Sequence, residues 1–152
     1  MKPPVLIQID LIVTAEQAVD SRLLPALAEL NQANLALVLL AERPDRWKPT
    51  RSRVDHAFKL QQDIEATINR GGGMLDAILY LDFSLFSRLR QRTTALADLA
   101  SRYDCELNQL SAIAESGSRM AETLAQSQIL VQTTDPTHKL QMHIADICSN
   151  HH

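Results

Sequence analysis

Aliphatic runs recur along this chain, and between them apolar residues return every three or four positions. The first run, 5–13, is apolar on both faces, interrupted by Gln8 and Asp10, and rich in β-branched residues. It predicts a buried strand of a parallel sheet. A helix is predicted to open near Pro25, since proline suits the first helical turn, with Ala26, Leu27 and Leu30 as its apolar stripe. Asn31 to Asn34 breaks it, and 35–40 is a second continuous strand. Residues 43–53 are polar and basic with two prolines and read as a loop. A helix follows over 54–70, with Val54, Phe58, Leu60, Ile64 and Ile68 as candidate core positions, and Gly71-Gly72-Gly73 stops it. Further strands are predicted at 76–81, 111–115 and 129–133. Helices are predicted at 89–103, with Leu89, Leu96, Leu99 and Ala100 inward, at 118–125, and at 137–148 with Leu140, Ile144 and Ile147.

Strands alternating with helices imply right-handed crossovers and a sheet covered on both faces. The predicted fold is α/β: a Rossmann-like three-layer sandwich around a mainly parallel five-stranded sheet, without a sizeable cap. No repeat or linker divides residues 1–152. In such sheets ligands sit at the carboxyl ends of the strands, so the residues just after each strand are the candidates for chemistry.

Composition changes this picture little. Over 152 residues the hydrophobic fraction is 45% and the charged fraction 22%, ordinary for a globular protein. A net charge of -3 gives no general pull toward nucleic acid or membrane. Two cysteines, Cys105 and Cys148, build neither a disulfide framework nor a four-cysteine zinc site, which points to a reducing, cytoplasmic compartment. The first apolar run is too short to span a bilayer and has no cleavage-site pattern.

The stretch Leu24 to Leu40 has a proline-led helix, a small-residue turn and an aliphatic strand. With Gly73 to Tyr80 and the Leu96 to Tyr103 helix followed by Leu107, it resembles the haloacid-dehalogenase (HAD) superfamily. The branch it is most similar to holds the small heptose-bisphosphate and histidinol-phosphate phosphatases, of bacterial type. The resemblance covers about 5–134 and lies in scaffold positions.

The resemblance implies four chemical elements, and each is altered. The place of the aspartate nucleophile is held by Gln8, which offers no anionic oxygen for an acyl-phosphate step. Asp10 keeps the acid/base position, and Leu11 replaces a glycine. Ala41 stands where a phosphate-binding hydroxyl is expected, beside Glu42, which would repel phosphate. Arg90 matches the lysine that neutralises phosphate, without its prolines and glycine. At the magnesium-holding segment Glu115 remains and Arg119 replaces the last acid. The zinc loop of this branch falls between Tyr80 and Arg90, where 81–87 has neither cysteine nor histidine. The expectation is no catalytic residue, no zinc, and magnesium bound weakly through Asp10 and Glu115 at most.

Several residues carry two readings. Asp10 and Glu115 are either surviving acids or metal ligands, or carboxylates capping local backbone N–H groups. Gln8 either binds a ligand or hydrogen-bonds locally. Arg43, Arg46, Lys48, Arg51 and Arg53 around Trp47, together with Arg88, Arg90 and Arg92, form either a groove for a phosphorylated ligand or RNA, with Trp47 for stacking, or a solvated surface. Phe83, Leu85 and Phe86 are either an interaction surface or core. The cysteines read as packing thiols, and His56, His138 and His143 as surface residues outside any metal pattern. The terminal helix is open to docking on the sheet or on another chain.

Three functions follow. One is a catalytically inactive, phosphatase-like interaction or regulatory protein, working through a protein partner or self-association. Another is a binding module for a phosphorylated ligand, nucleic acid being the less favoured ligand. The third is a residual or altered sugar-phosphate phosphatase.

Overall fold

The computed structural model describes residues 2–43, 51–135 and 140–151. Five strands, β1 (Pro4–Gln8), β2 (Ala36–Glu42), β3 (Leu75–Leu81), β4 (Ser111–Glu115) and β5 (Leu130–Thr134), form one sheet in the order β3-β2-β1-β4-β5. Every pairing is parallel, with Ile7 opposite Leu39 on one side and Ile113 on the other. The helices are α1 (Leu24–Gln32), α2 (Arg51–Arg70), α3 (Leu89–Arg102), α4 (Arg119–Gln126) and α5 (Leu140–His151).

The continuous aliphatic runs are explained by the two faces of the central strands. Val5, Ile7, Leu37 and Leu39 pack into one core with α1, α2 and α5. Leu6, Val38 and Leu40 pack into the other with α3 and α4. Side chains alternate along a strand, so a strand buried on both sides has no polar face. Each fully buried Leu or Ile contributes about 1.5–3 kcal/mol, which makes the sheet a firm platform for whatever its carboxyl ends present.

Some boundaries differ from the sequence expectation. The first run is not one strand: β1 ends at Gln8, and Ile9–Leu11 forms a single 3-10 turn. An antiparallel bridge between Val13 and Val19 then closes a small hairpin. Leu11 and Ile12 remain buried, so their apolar character reports burial and not extension. Helix α2 starts at Arg51, inside the expected loop 43–53, because arginine is a good helix former. Phe58 is 61% exposed and not core: Leu60, Ile64 and Ile68 set the inward face, and Phe58 lies off it. The side chain of Val54 lies outside the described residues.

Helix α5 docks on the sheet, with Leu140, Ile144, Ile147 and Cys148 in the core beside α1, so it is not a free arm for another chain. His143 is half-buried and its Nδ1 hydrogen-bonds the Gln132 side chain, in place of the expected surface position. Helix α1 closes with Asn34 at φ 62, and the stop after α2 uses Gly72 at φ 91, a conformation that costs glycine little. Among the described residues no helix is long and apolar enough to cross a membrane.

Candidate functional site

The carboxyl ends of β1 and β4 meet around one side chain. Gln8 is 2% exposed, the last residue of β1, and its amide makes three hydrogen bonds. Its Oε1 accepts from the Glu115 backbone N–H at 2.8 Å and from the Ser118 hydroxyl at 3.2 Å. Its Nε2 donates to Asp10 Oδ2 at 3.0 Å. Ser118 in turn caps α4, its Oγ accepting from the Ala121 N–H at 3.0 Å. Gln8 therefore ties β1 to the end of β4, to the start of α4 and to the turn that carries Asp10.

A second link crosses the same end of the sheet. Arg119, the first residue of α4, pairs with Glu42 at the end of β2, its Nε donating to Glu42 Oε1 at 2.8 Å. The same guanidinium reaches the Phe83 carbonyl at 3.4 Å and lies 5.0 Å from the Phe83 ring centroid. Arg92 approaches that ring too, at 4.7 Å. Arg92 also donates to Thr123 Oγ1 at 3.1 Å, to Ser87 Oγ at 3.0 Å and to the Asp82 carbonyl at 3.3 Å. Phe83 is buried between the two arginines, in the core with Leu96 and Met120. A cation over an aromatic face gains about 0.5–2 kcal/mol, depending on its desolvation.

The expected site residues are thus sorted. Gln8, Asp10, Glu115 and Arg119 do converge at the strand ends. Ala41 is buried beside them on β2. Arg90 is exposed on α3 and takes no part in this network. Arg92, expected to hold ligand with it, is instead committed to the loop base. Phe83 is core and not surface, whereas Leu85 and Phe86 stand 91% and 89% exposed. Arg43 is exposed at the end of β2; Arg46, Trp47 and Lys48 lie outside the described residues. Sequence reasoning missed Ser118 as the third partner of Gln8, and Glu42 as the counter-ion of Arg119. No spacing signals a pair 77 residues apart.

The loop between β3 and α3 is built by its own polar groups. Asp82 Oδ1 accepts from the Ser84 N–H at 2.9 Å, and the Ser84 carbonyl accepts from the Ser87 N–H at 3.0 Å and hydroxyl at 2.8 Å. The bonds from Ser84, with Arg43 and Arg92 nearby, hold the Asp82 carboxyl below the usual carboxylate range. Its stabilising effect is complete above the unfolded value near ~3.9 and is lost as pH falls through the lower folded value. Asp82→Asn is expected to lower Tm at neutral pH and converge with the unchanged protein in acid. Parallel Tm curves from neutral to acid pH would contradict this.

No family model matches the sequence, and no curated protein matches it either. Solved structures do. D,D-heptose 1,7-bisphosphate phosphatase from B. bronchiseptica, complexed with magnesium and phosphate, superposes with a TM-score of 0.73 at 17% identity, over 99% of each chain. The D,D-heptose 1,7-bisphosphate phosphatase from Burkholderia thailandensis gives 0.66 at 15% identity, over 97% of this chain and 99% of that one. A putative HAD-like phosphatase from Mesorhizobium loti gives 0.67 at 10% identity, over 99% and 86%. The fold is that of the HAD-like phosphatases. The first of these likenesses spans nearly the whole chain, so it includes α5, which the sequence resemblance over 5–134 left out.

At these strand ends two of the three nearby carboxylates, Asp10 and Glu42, already have side-chain partners. A hard cation takes several oxygen ligands. Here Asp10 accepts the Gln8 amide, Glu42 is paired with Arg119, and a guanidinium brings positive charge to the same strand ends. Among the described residues no three His, Cys, Asp or Glu side chains converge. The loop 82–87 likewise offers no thiol or imidazole for zinc.

Proposed function

We propose that this protein is a catalytically inactive, phosphatase-like interaction or regulatory protein of the cytoplasm, with the HAD-like scaffold kept and phosphoryl transfer lost. The observation that carries this reading is the use made of Gln8. The residue where the resemblance implies a nucleophile is a buried amide spent on three structural hydrogen bonds. A nucleophile needs a free anionic oxygen facing substrate, and this side chain has neither the charge nor the freedom. The Arg119–Glu42 pair supports the same reading, since each side chain answers the charge of the other and not that of a metal or phosphate. A protein partner is the ligand class this reading favours, because the exposed Leu85 and Phe86 are of the type that anchors interfaces.

The test is phosphate release from D,D-heptose 1,7-bisphosphate with magnesium. Release is expected to stay at the level of the buffer control. Magnesium-dependent turnover that disappears in Asp10→Asn, prepared in parallel, would overturn the reading.

A further inference from the structure

Among the described residues the sheet ends in two unpaired edges, β3 and β5, and they are not equivalent. Strand β3 has seven residues and β5 five. Among the described residues seven large apolar side chains are exposed: Phe58, Met74, Tyr80, Leu85, Phe86, Leu130 and Met142. Met74 and Tyr80 lie just before and on β3, and Leu85 and Phe86 on the loop that leaves it. Phe58 belongs to the same edge. Helix α2 packs Leu60, Ile64 and Ile68 inward. At about 100° per residue, Phe58 and Glu65 lie roughly 100–120° from that face. With a right-handed crossover from β2 to β3, this is the flank turned away from α1, toward the β3 edge. Five of the seven thus gather at one edge, which is where an interface should be sought.

We propose that the β3 edge docks a second copy of this chain, antiparallel about a twofold axis, so that the two five-stranded sheets join into one. This deepens the interaction reading above by naming the surface and the partner. An unpaired strand edge is a template for another strand; β3, Leu-Asp-Ala-Ile-Leu-Tyr-Leu, has no lysine or proline, its one charge is Asp76 near the amino end, and the irregularity in its pairing with β2 is confined to that end. Charge selects a second copy of this chain. Exposed Arg43, Arg88 and Arg90 lie at the carboxyl end of this edge; exposed Asp76, which accepts from the Tyr103 hydroxyl and lies beside Arg102, and exposed Glu65 lie toward its amino end. Antiparallel pairing sets the three arginines of each chain against Asp76 and Glu65 of the other, and a twofold axis makes that match reciprocal. It also brings Leu85 and Phe86 toward the partner's end of the edge where Met74 is exposed. Seven residues at about 3.3 Å each give an edge ~23 Å long. A stable dimer uses roughly 800 Å² per partner, so α2 and the 82–88 loop join the edge in this interface.

Sedimentation velocity of the full chain over a wide concentration range tests this. The expected species has twice the 17.0 kDa chain mass. Phe58→Lys with Tyr80→Lys should return it to single mass, and Leu130→Lys with Met142→Lys at the β5 edge should not. A reading independent of variants is amide hydrogen exchange of the unchanged chain, where protection of β3 should rise with concentration and that of β5 should not. A monomer at all concentrations overturns the proposal, as does a dimer that survives the β3 changes or dissolves only with the β5 changes. None of these outcomes bears on phosphate release, so this assembly and the loss of catalysis fail separately.

Discussion

Gln8→Asp will put a carboxylate back at the end of β1 and yield no turnover. The shorter side chain withdraws from the Glu115 N–H and the Ser118 hydroxyl, which Gln8 Oε1 now serves. A buried donor left unpaired costs about 1–3 kcal/mol. The new carboxylate also faces Asp10, which accepts from the Gln8 amide in the unchanged chain. Two like charges in one site raise the pKa of one of them, so the variant should regain part of its lost stability as pH falls through that raised value. Chemistry still lacks its other parts, because Ala41 offers no hydroxyl and Arg119 stands against Glu42. Restoring one member of a catalytic set recovers little when the set acts as a unit. Phosphate release and thermal melts of this variant, with and without magnesium, measure both effects. A magnesium-dependent rate from this single change would show that the remaining side chains still form a working site.

Phe83→Ala will lower stability by about 3–5 kcal/mol, the range for deleting a buried aromatic side chain. The ring fills the core against α3 and α4 and is flanked by the guanidinium groups of Arg92 and Arg119. Its loss leaves a cavity and removes the surface that holds both arginines at the strand ends. Leu85→Ser and Phe86→Ser, measured at concentrations where the chain is monomeric, should each change stability by less than about 0.5 kcal/mol. Urea unfolding followed by far-UV circular dichroism separates the three. Equal losses for all of them would mean that the whole segment is core; no loss for Phe83→Ala would mean that the arginines hold the loop without the ring.

The periodicity of the chain was enough for the architecture. Continuous aliphatic runs mark strands buried on both faces, and Leu60, Ile64 and Ile68 mark the inward face of α2, because burial imposes a fixed spacing on each kind of element. Strand β4 is legible to the residue. The absence of a charged nucleophile at Gln8 is equally a property of the sequence. Tertiary structure decided what burial alone leaves open. The run 5–13 is apolar apart from Gln8 and Asp10, yet it leaves the sheet at Gln8 and turns, since packing against a core does not require extension. Phe83 is buried while Leu85 and Phe86, two and three positions on, are exposed: the loop's hydrogen bonds set their directions, and no period runs through a loop. Arg92 rather than Arg90 reaches into the strand-end cluster, because two residues along a helix turn a side chain to the opposite flank. The Glu42–Arg119 pair and the bonds from Gln8 to Glu115 and Ser118 join residues 77 to 110 positions apart. Only the crossover connections bring those strand ends together, so the chain alone names the residues and the fold determines which of them meet.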